Sequence, residues 1–242
     1  LLIALVGATL ITAAIGWTSA PLAGISAAGR GTFVQAAFRG NLSFIALPLL
    51  LTVPGVPLAQ AMWAVAPMII LNNALTVVVL AVSQSRGQGN LVTTTALQIG
   101  QNPIIIAAVG GMVFSQLGWD IPEAIGTTLQ ALGRMSLPLA LLCIGAALMT
   151  VPVSGNRAQA GLAAIYKVAL SPIIGYGLGR WLGLDDAAML ALLIFLACPT
   201  AAISYTVAKQ MGGDEALAAT AVVLSAVASA ISLGVVIAVF AV

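Results

Sequence analysis

The chain has 242 residues, 61% of them hydrophobic, a mean hydropathy of +1.15, and a formal net charge of +2 from eight Lys and Arg against six Asp and Glu. A soluble domain draws roughly a quarter of its residues from the charged types, so this chain cannot coat itself for water and belongs in a lipid bilayer. A soluble enzyme, a nucleic-acid binder and a disulfide-stapled module are excluded; no histidine is present to ligate a metal or act as a base, no cofactor is called for, and Cys143 and Cys198, both in apolar runs, read as buried thiols.

A helix needs about 20 apolar residues to cross the hydrocarbon core. Eight windows fit, at approximately 1–20, 33–54, 58–83, 91–117, 123–150, 157–183, 185–210 and 216–242. The first opens at Leu1 in mid-run, which reads as a fragment or processed product, since no basic segment or cleavage site accompanies it as in a signal peptide. The second carries Asn41, Ser43 and Pro48, and the third places the amide pair Asn72-Asn73 at mid-span. Such a pair is expensive in lipid unless it bonds something; it either belongs to a polar site or joins helices together.

The fourth window holds Gln101-Asn102-Pro103 near one end, read as structural, and Gly110-Gly111, which with Gly145 of the fifth is expected to permit close helix packing. Arg134 lies deep in the fifth and Lys167 deep in the sixth. A cation at that depth marks a functional site unless it snorkels to the interface, and both readings stand here. The seventh contains Pro199, Thr200, Ser204 and Tyr205, and all six acids fall near window ends.

Loops on one side collect Arg30, Arg39, Arg86, Arg157 and Lys209, whereas the other side has Arg180 among Asp120, Glu123, Asp185 and Asp186. The basic side is expected to be cytoplasmic, which puts both chain ends outside a multi-pass cell membrane.

Shifted by 151 residues, Pro21 to Gly24 aligns with Pro172 to Gly175, and Phe44 to Pro48 with Phe195 to Pro199. Either this is a duplication or helices of similar composition coincide. If it is a duplication, five spans separate the copies, the copies are inverted as in many transporters, and two spans are missing ahead of Leu1, giving five plus five. Pro48 and Pro199 stand at mid-span in equivalent places. A proline there removes a donor and frees a carbonyl, so each helix is expected to kink or unwind at its proline, the residues beyond starting a half-helix whose positive end can receive an anion.

The most specific motifs are Arg39-Gly40-Asn41 running to Pro48, Asn102-Pro103-Ile104, Pro138 to Leu148, Lys167 ahead of Ser171-Pro172, and Cys198-Pro199-Thr200-Ala201 followed by Gly212-Gly213-Asp214. In these the chain resembles the auxin efflux carrier family, whose bacterial members include carriers of malonate and other organic acids. The resemblance implies an all-α integral membrane protein of two inverted five-span repeats, similar to the bile-acid sodium symporter and sodium/proton antiporter folds, with eight spans visible here. It implies two proline-broken helices crossing in a transport domain, 1–83 with 157–242, that moves against a scaffold of which 84–156 is half. It further implies a substrate anion at the crossing, near Asn41 and an asparagine of the next span, Asn73 or its neighbour Asn72. The short loop at 83–90 departs from the plant carriers and favours a bacterial-type organic-acid carrier of the inner membrane over auxin.

The expected function is thus secondary transport of a small organic anion by elevator-type alternating access, an ion-coupled symporter or a non-transporting sensor being the alternatives. Asn41, Ser43, Pro48, Asn72, Asn73, Pro199, Thr200, Ser204 and Tyr205 are the candidate substrate-binding residues. Lys167 balances the substrate's charge or ties the broken helices together. The partners are the anion and the bilayer, with a homodimer through the scaffold as an open option. An enzyme is not expected: the sole nucleophile and base within reach are Ser171 and Lys167, four residues apart.

Overall fold

The structure, a computed structural model, describes residues 1–84, 97, 100, 101, 103–150 and 157–240. Asn102, Arg86 and most of the connection at 83–90 lie outside the described residues, as do the side chain of Cys143 and the surroundings of Gly145. The described chain is helical: α1 (Leu2–Ser19), α2 (Ala27–Phe38), a π-turn (Leu42–Ala46) leading into α3 (Leu47–Thr52), α4 (Leu58–Gln84), α5 (Pro103–Gln116), α6 (Glu123–Thr150), α7 (Arg157–Ile165), a second π-turn (Tyr166–Leu170) leading into α8 (Ser171–Trp181), α9 (Asp186–Ala197), α10 (Ile203–Gln210) and α11 (Glu215–Phe240). Among the described residues four helical stretches are long and apolar enough to cross a membrane: Leu2–Ser19, Leu58–Gln84, Arg157–Trp181 and Glu215–Phe240. The windows at 33–54 and 185–210 are each interrupted instead, leaving the shorter apolar helices Leu42–Thr52 and Asp186–Ala197.

Two apolar clusters organise the packing. The first surrounds α9, every residue of which from Ala188 to Ala197 is buried, with α1, α3, α4 and α11 contributing. A helix apolar on all sides has to be enclosed on all sides, and α9 is. The second lies around α2, whose Phe33, Val34 and Phe38 meet residues of α1, α4, α7 and α11. α5 packs along α4 and α6 against α11, and none of their described side chains enters a cluster. An added Cβ at Gly110 or Gly111 would meet nothing within 4 Å, so the expected close packing at this pair is not formed among the described residues.

The two interruptions have different causes. At Cys198 the backbone turns extended (ψ 149°), as a residue preceding proline is driven to do, and α9 ends. In the window at 33–54 the helix stops earlier than expected. α2 ends at Phe38, Arg39 and Asn41 leave the helical region (ψ 97° and 73°), and Pro48 lies beyond the break in a helix that continues through it. Pro48 is exposed, and the π-turn just ahead of it widens the ladder, with Ala46 N–H donating to the Asn41 carbonyl at 3.1 Å. That carries preceding carbonyls away from the ring, so the proline is accommodated without unwinding. Pro172 stands in the same relation to the π-turn Tyr166–Leu170. What breaks the first helix is Gly40, a poor helix former, followed by Asn41, whose side chain accepts from Phe44 N–H at 3.3 Å and caps the next segment.

Candidate functional site

The two breaks meet. Asn41 N–H donates to the Pro199 carbonyl at 2.8 Å and Ala201 N–H to the Arg39 carbonyl at 2.9 Å, making a one-pair antiparallel bridge between Gly40 and Thr200. Unwound backbone is thereby satisfied inside the protein, the condition for its existence at membrane depth. Gly40 permits the approach: a Cβ there would stand 2.8 Å from Cys198 Sγ and 3.2 Å from Lys167 Cε.

Beside the bridge lies a cavity of about 220 Å³ lined by residues 39–44 from the first break, Ile69, Asn72 and Asn73 from α4, and Ala201, Ala202 and Ile203 from the second break. It is smaller than the roughly 300 Å³ at which sites for drug-sized ligands begin, a scale suited to a small molecule. The segments that start at Leu42 and at Ile203 both open on it, so the positive ends of two helix dipoles converge there.

Of the residues singled out from sequence, Asn41, Ser43, Asn72 and Asn73 come to this wall. Five others do not. Pro48 is exposed beyond the break, and Pro199 gives its carbonyl to Asn41. Thr200 is used internally, its amide donating to Ser225 Oγ at 3.0 Å and its hydroxyl to the Ala36 carbonyl at 2.7 Å. Ser204 is fully buried and its carbonyl accepts from Gln35 Nε2. Tyr205 points to the far end of α10, where its hydroxyl lies 3.4 Å from Glu215 and Lys209 sits over its ring.

Arg39 is not the loop charge expected from its place beside Arg30: it is 3% exposed at the first break and lines the cavity. Its Nη2 donates to Asn73 Oδ1, while Nη1 is buried without a partner. The Gly40-Asn41 stop-and-cap pair directly after it was the available signal: a residue that abuts a helix break faces inward, not toward the membrane surface. Without Arg39 the loops expected to be basic keep Arg30, Arg157 and Lys209, with Arg86 outside the described residues.

Lys167 is also buried, at 1% exposure, and does not snorkel. Its Nζ donates to the Leu196 carbonyl in the last turn of α9, where the negative dipole end suits a cation. That bond directs the amine to the α9 terminus and not to Ser171, whose hydroxyl has no partner. Arg134 is exposed on α6. Cys198 is buried, its thiol donating to the Phe195 carbonyl at 3.0 Å, as expected of a packed thiol. All six acids of the chain are described; their ion pairs among the described residues include Arg180 with Asp186 and Lys209 with Glu215, both toward the surface. Arg39 and Lys167 have no carboxylate partner among the described residues, and no group of His, Cys, Asp and Glu there could hold a metal ion.

No curated protein matches the chain. A family model described as membrane transport protein matches residues 1–237, and the chain belongs to that family of transporters.

Proposed function

We propose that this membrane transport protein carries a small organic anion through the bilayer as a secondary transporter, loading it at the crossing of its two interrupted helices. The observation that carries the reading is the convergence of two helix N-termini on one small cavity walled by Asn41, Ser43, Asn72 and Asn73, with no carboxylate side chain in its lining. Positive dipole ends and neutral amide donors hold an anion loosely enough to release it.

The mechanism proposed is elevator-type alternating access. Helices α1–α4, α7–α9 and α11 share the two apolar clusters and, with α10 packed on α11, form the moving body, 1–83 with 157–242. Residues 84–156 form half of the stationary scaffold, through which two copies can pair, with α5 against α4 and α6 against α11. The inverted repeat is proposed from the alignment at a shift of 151 residues, and the antiparallel meeting of the two breaks supports it. The proposed setting is a bacterial inner membrane, with the ends of the eight-span segment outside.

Radiolabelled acetate, malonate and succinate offered to proteoliposomes of the full-length protein test the reading. Saturable uptake above protein-free liposomes is expected for at least one. Saturable binding without flux would make the protein a sensor, and the absence of both would overturn the proposal.

A further inference from the structure

The cavity wall contains a charge whose use the fold leaves open. Arg39 Nη2 is held by Asn73 Oδ1, and the Asn73 amide is itself fixed by donating to the Ile69 carbonyl at 2.8 Å, one turn back along α4. The guanidinium is thus clamped on one side, and its other terminal nitrogen, Nη1, stays buried and unpartnered in a residue that lines the cavity. A buried cation with an unused donor is costly, and every acid in the chain is near a surface end of its helix.

We propose, on the transport reading above, that Arg39 is the residue that takes the charge of the transported anion, with Asn73 as its positioning residue, and that Lys167 is a tether. A planar guanidinium presents paired N–H donors in the spacing of a carboxylate, and Asn73 holds one end of it while Nη1 stays uncommitted. The anion supplies the missing counter-charge, helped by the N-termini at Leu42 and Ile203. Lys167 is also buried but differs in each respect: its amine is committed to the end of α9 and it is not in the cavity lining. Asn73 accepts from Arg39 and donates one N–H to Ile69, which positions the guanidinium, while Asn41 and Asn72 supply the other amides of the wall.

The test measures malonate affinity and the preference for malonate over uncharged malonamide, with the full-length protein in proteoliposomes. Arg39→Gln is expected to weaken malonate about 10- to 100-fold and to abolish the preference, the loss of one charge-assisted hydrogen bond. Asn73→Ala is expected to weaken malonate while keeping the preference, because the charge remains. Lys167→Gln is expected to lower the unfolding midpoint and leave the preference intact. If Arg39→Gln does not purify as a folded species, Arg39→Lys takes its place, with weaker malonate binding and a retained preference expected from a cation without the fork. Wild-type affinity and preference in Arg39→Gln, or wild-type affinity in Arg39→Lys where it stands in, overturns the assignment, as does a preference erased by Lys167→Gln. An unmutated protein that neither binds nor moves any of the three acids overturns the transport reading itself, an outcome distinguishable from failure at Arg39 alone.

Discussion

Gly40 and Cys198 face each other across the crossing so closely that a methyl group on Gly40 would stand 2.8 Å from the Cys198 sulfur. Lys167 Cε and Nζ, at 3.2 and 3.3 Å, close the remaining space, and Lys167 is anchored to the Leu196 carbonyl. The methyl group therefore has no direction in which to relax cheaply. Gly40→Ala should destabilise the protein by about 1–3 kcal/mol, the usual cost of overpacking. Adding Cys198→Ala should recover part of it, because the first clash is with the sulfur. Thermal unfolding followed by intrinsic tryptophan fluorescence checks both, and equal midpoints for the single and double variants would show that the close approach is not real.

Thr200 separates a structural from a ligand-binding reading of the second break. Its hydroxyl donates to the Ala36 carbonyl and its amide takes Ser225, so both polar groups tie α2 and α11 to the crossing. Thr200→Val removes the first bond and leaves a buried carbonyl unpaired, for a loss of about 1–3 kcal/mol. Malonate affinity should stay within about threefold of wild type once the protein is folded, since Thr200 is not on the cavity wall. Binding at a temperature well below the lowered midpoint decides it.

Asn41→Asp is nearly isosteric and keeps the oxygen that accepts from Phe44 N–H, so the cap survives. It also places a carboxylate in the cavity that holds Arg39. The new anion should pair internally with the free guanidinium nitrogen and with the helix dipoles, displacing an external one. Anion uptake should fall at least about tenfold with little or no loss of unfolding midpoint, whereas Asn41→Ala should lower the midpoint by losing the cap, about 1 kcal/mol. Uptake and unfolding measured side by side distinguish the two effects.

Much of this arrangement was legible in the residues. Hydropathy found α1, α4 and α11 nearly to their ends, because a span in lipid has to be continuously apolar. The break at Cys198-Pro199 follows from a rule about one dipeptide. The break at Arg39 was placed nine residues late, at Pro48, because the effect of a proline depends on the hydrogen-bond register ahead of it, and a π-turn has no sequence signature comparable to a proline. Arg39 looks like a loop charge for the same reason: in a helix that starts at 33 and breaks at 48, position 39 has no cause to face inward. The partners of Thr200 and Lys167 lie 164 and 29 residues away, contacts that no periodicity reports.

The two prolines, equivalent in sequence, should therefore behave differently when replaced. Pro199 enforces the extended backbone at Cys198 that ends α9, and its carbonyl is the acceptor for Asn41 N–H. Alanine there restores a donor and lifts the restriction on Cys198, so α9 can propagate into the break and draw the carbonyl into its own ladder, dismantling the bridge. Pro48 is exposed, sits after the break, and follows Leu47, which is already helical (φ −63°, ψ −49°). Alanine at 48 restores a helical donor where the chain is helical, a change that costs nothing in backbone geometry and favours the helix slightly. Pro199→Ala should accordingly reduce anion uptake severely and lower the unfolding midpoint, while Pro48→Ala should keep most of the uptake and an unchanged or higher midpoint. Equal losses in the two variants would place the functional break at both prolines, and a silent Pro199→Ala would detach transport from the crossing altogether.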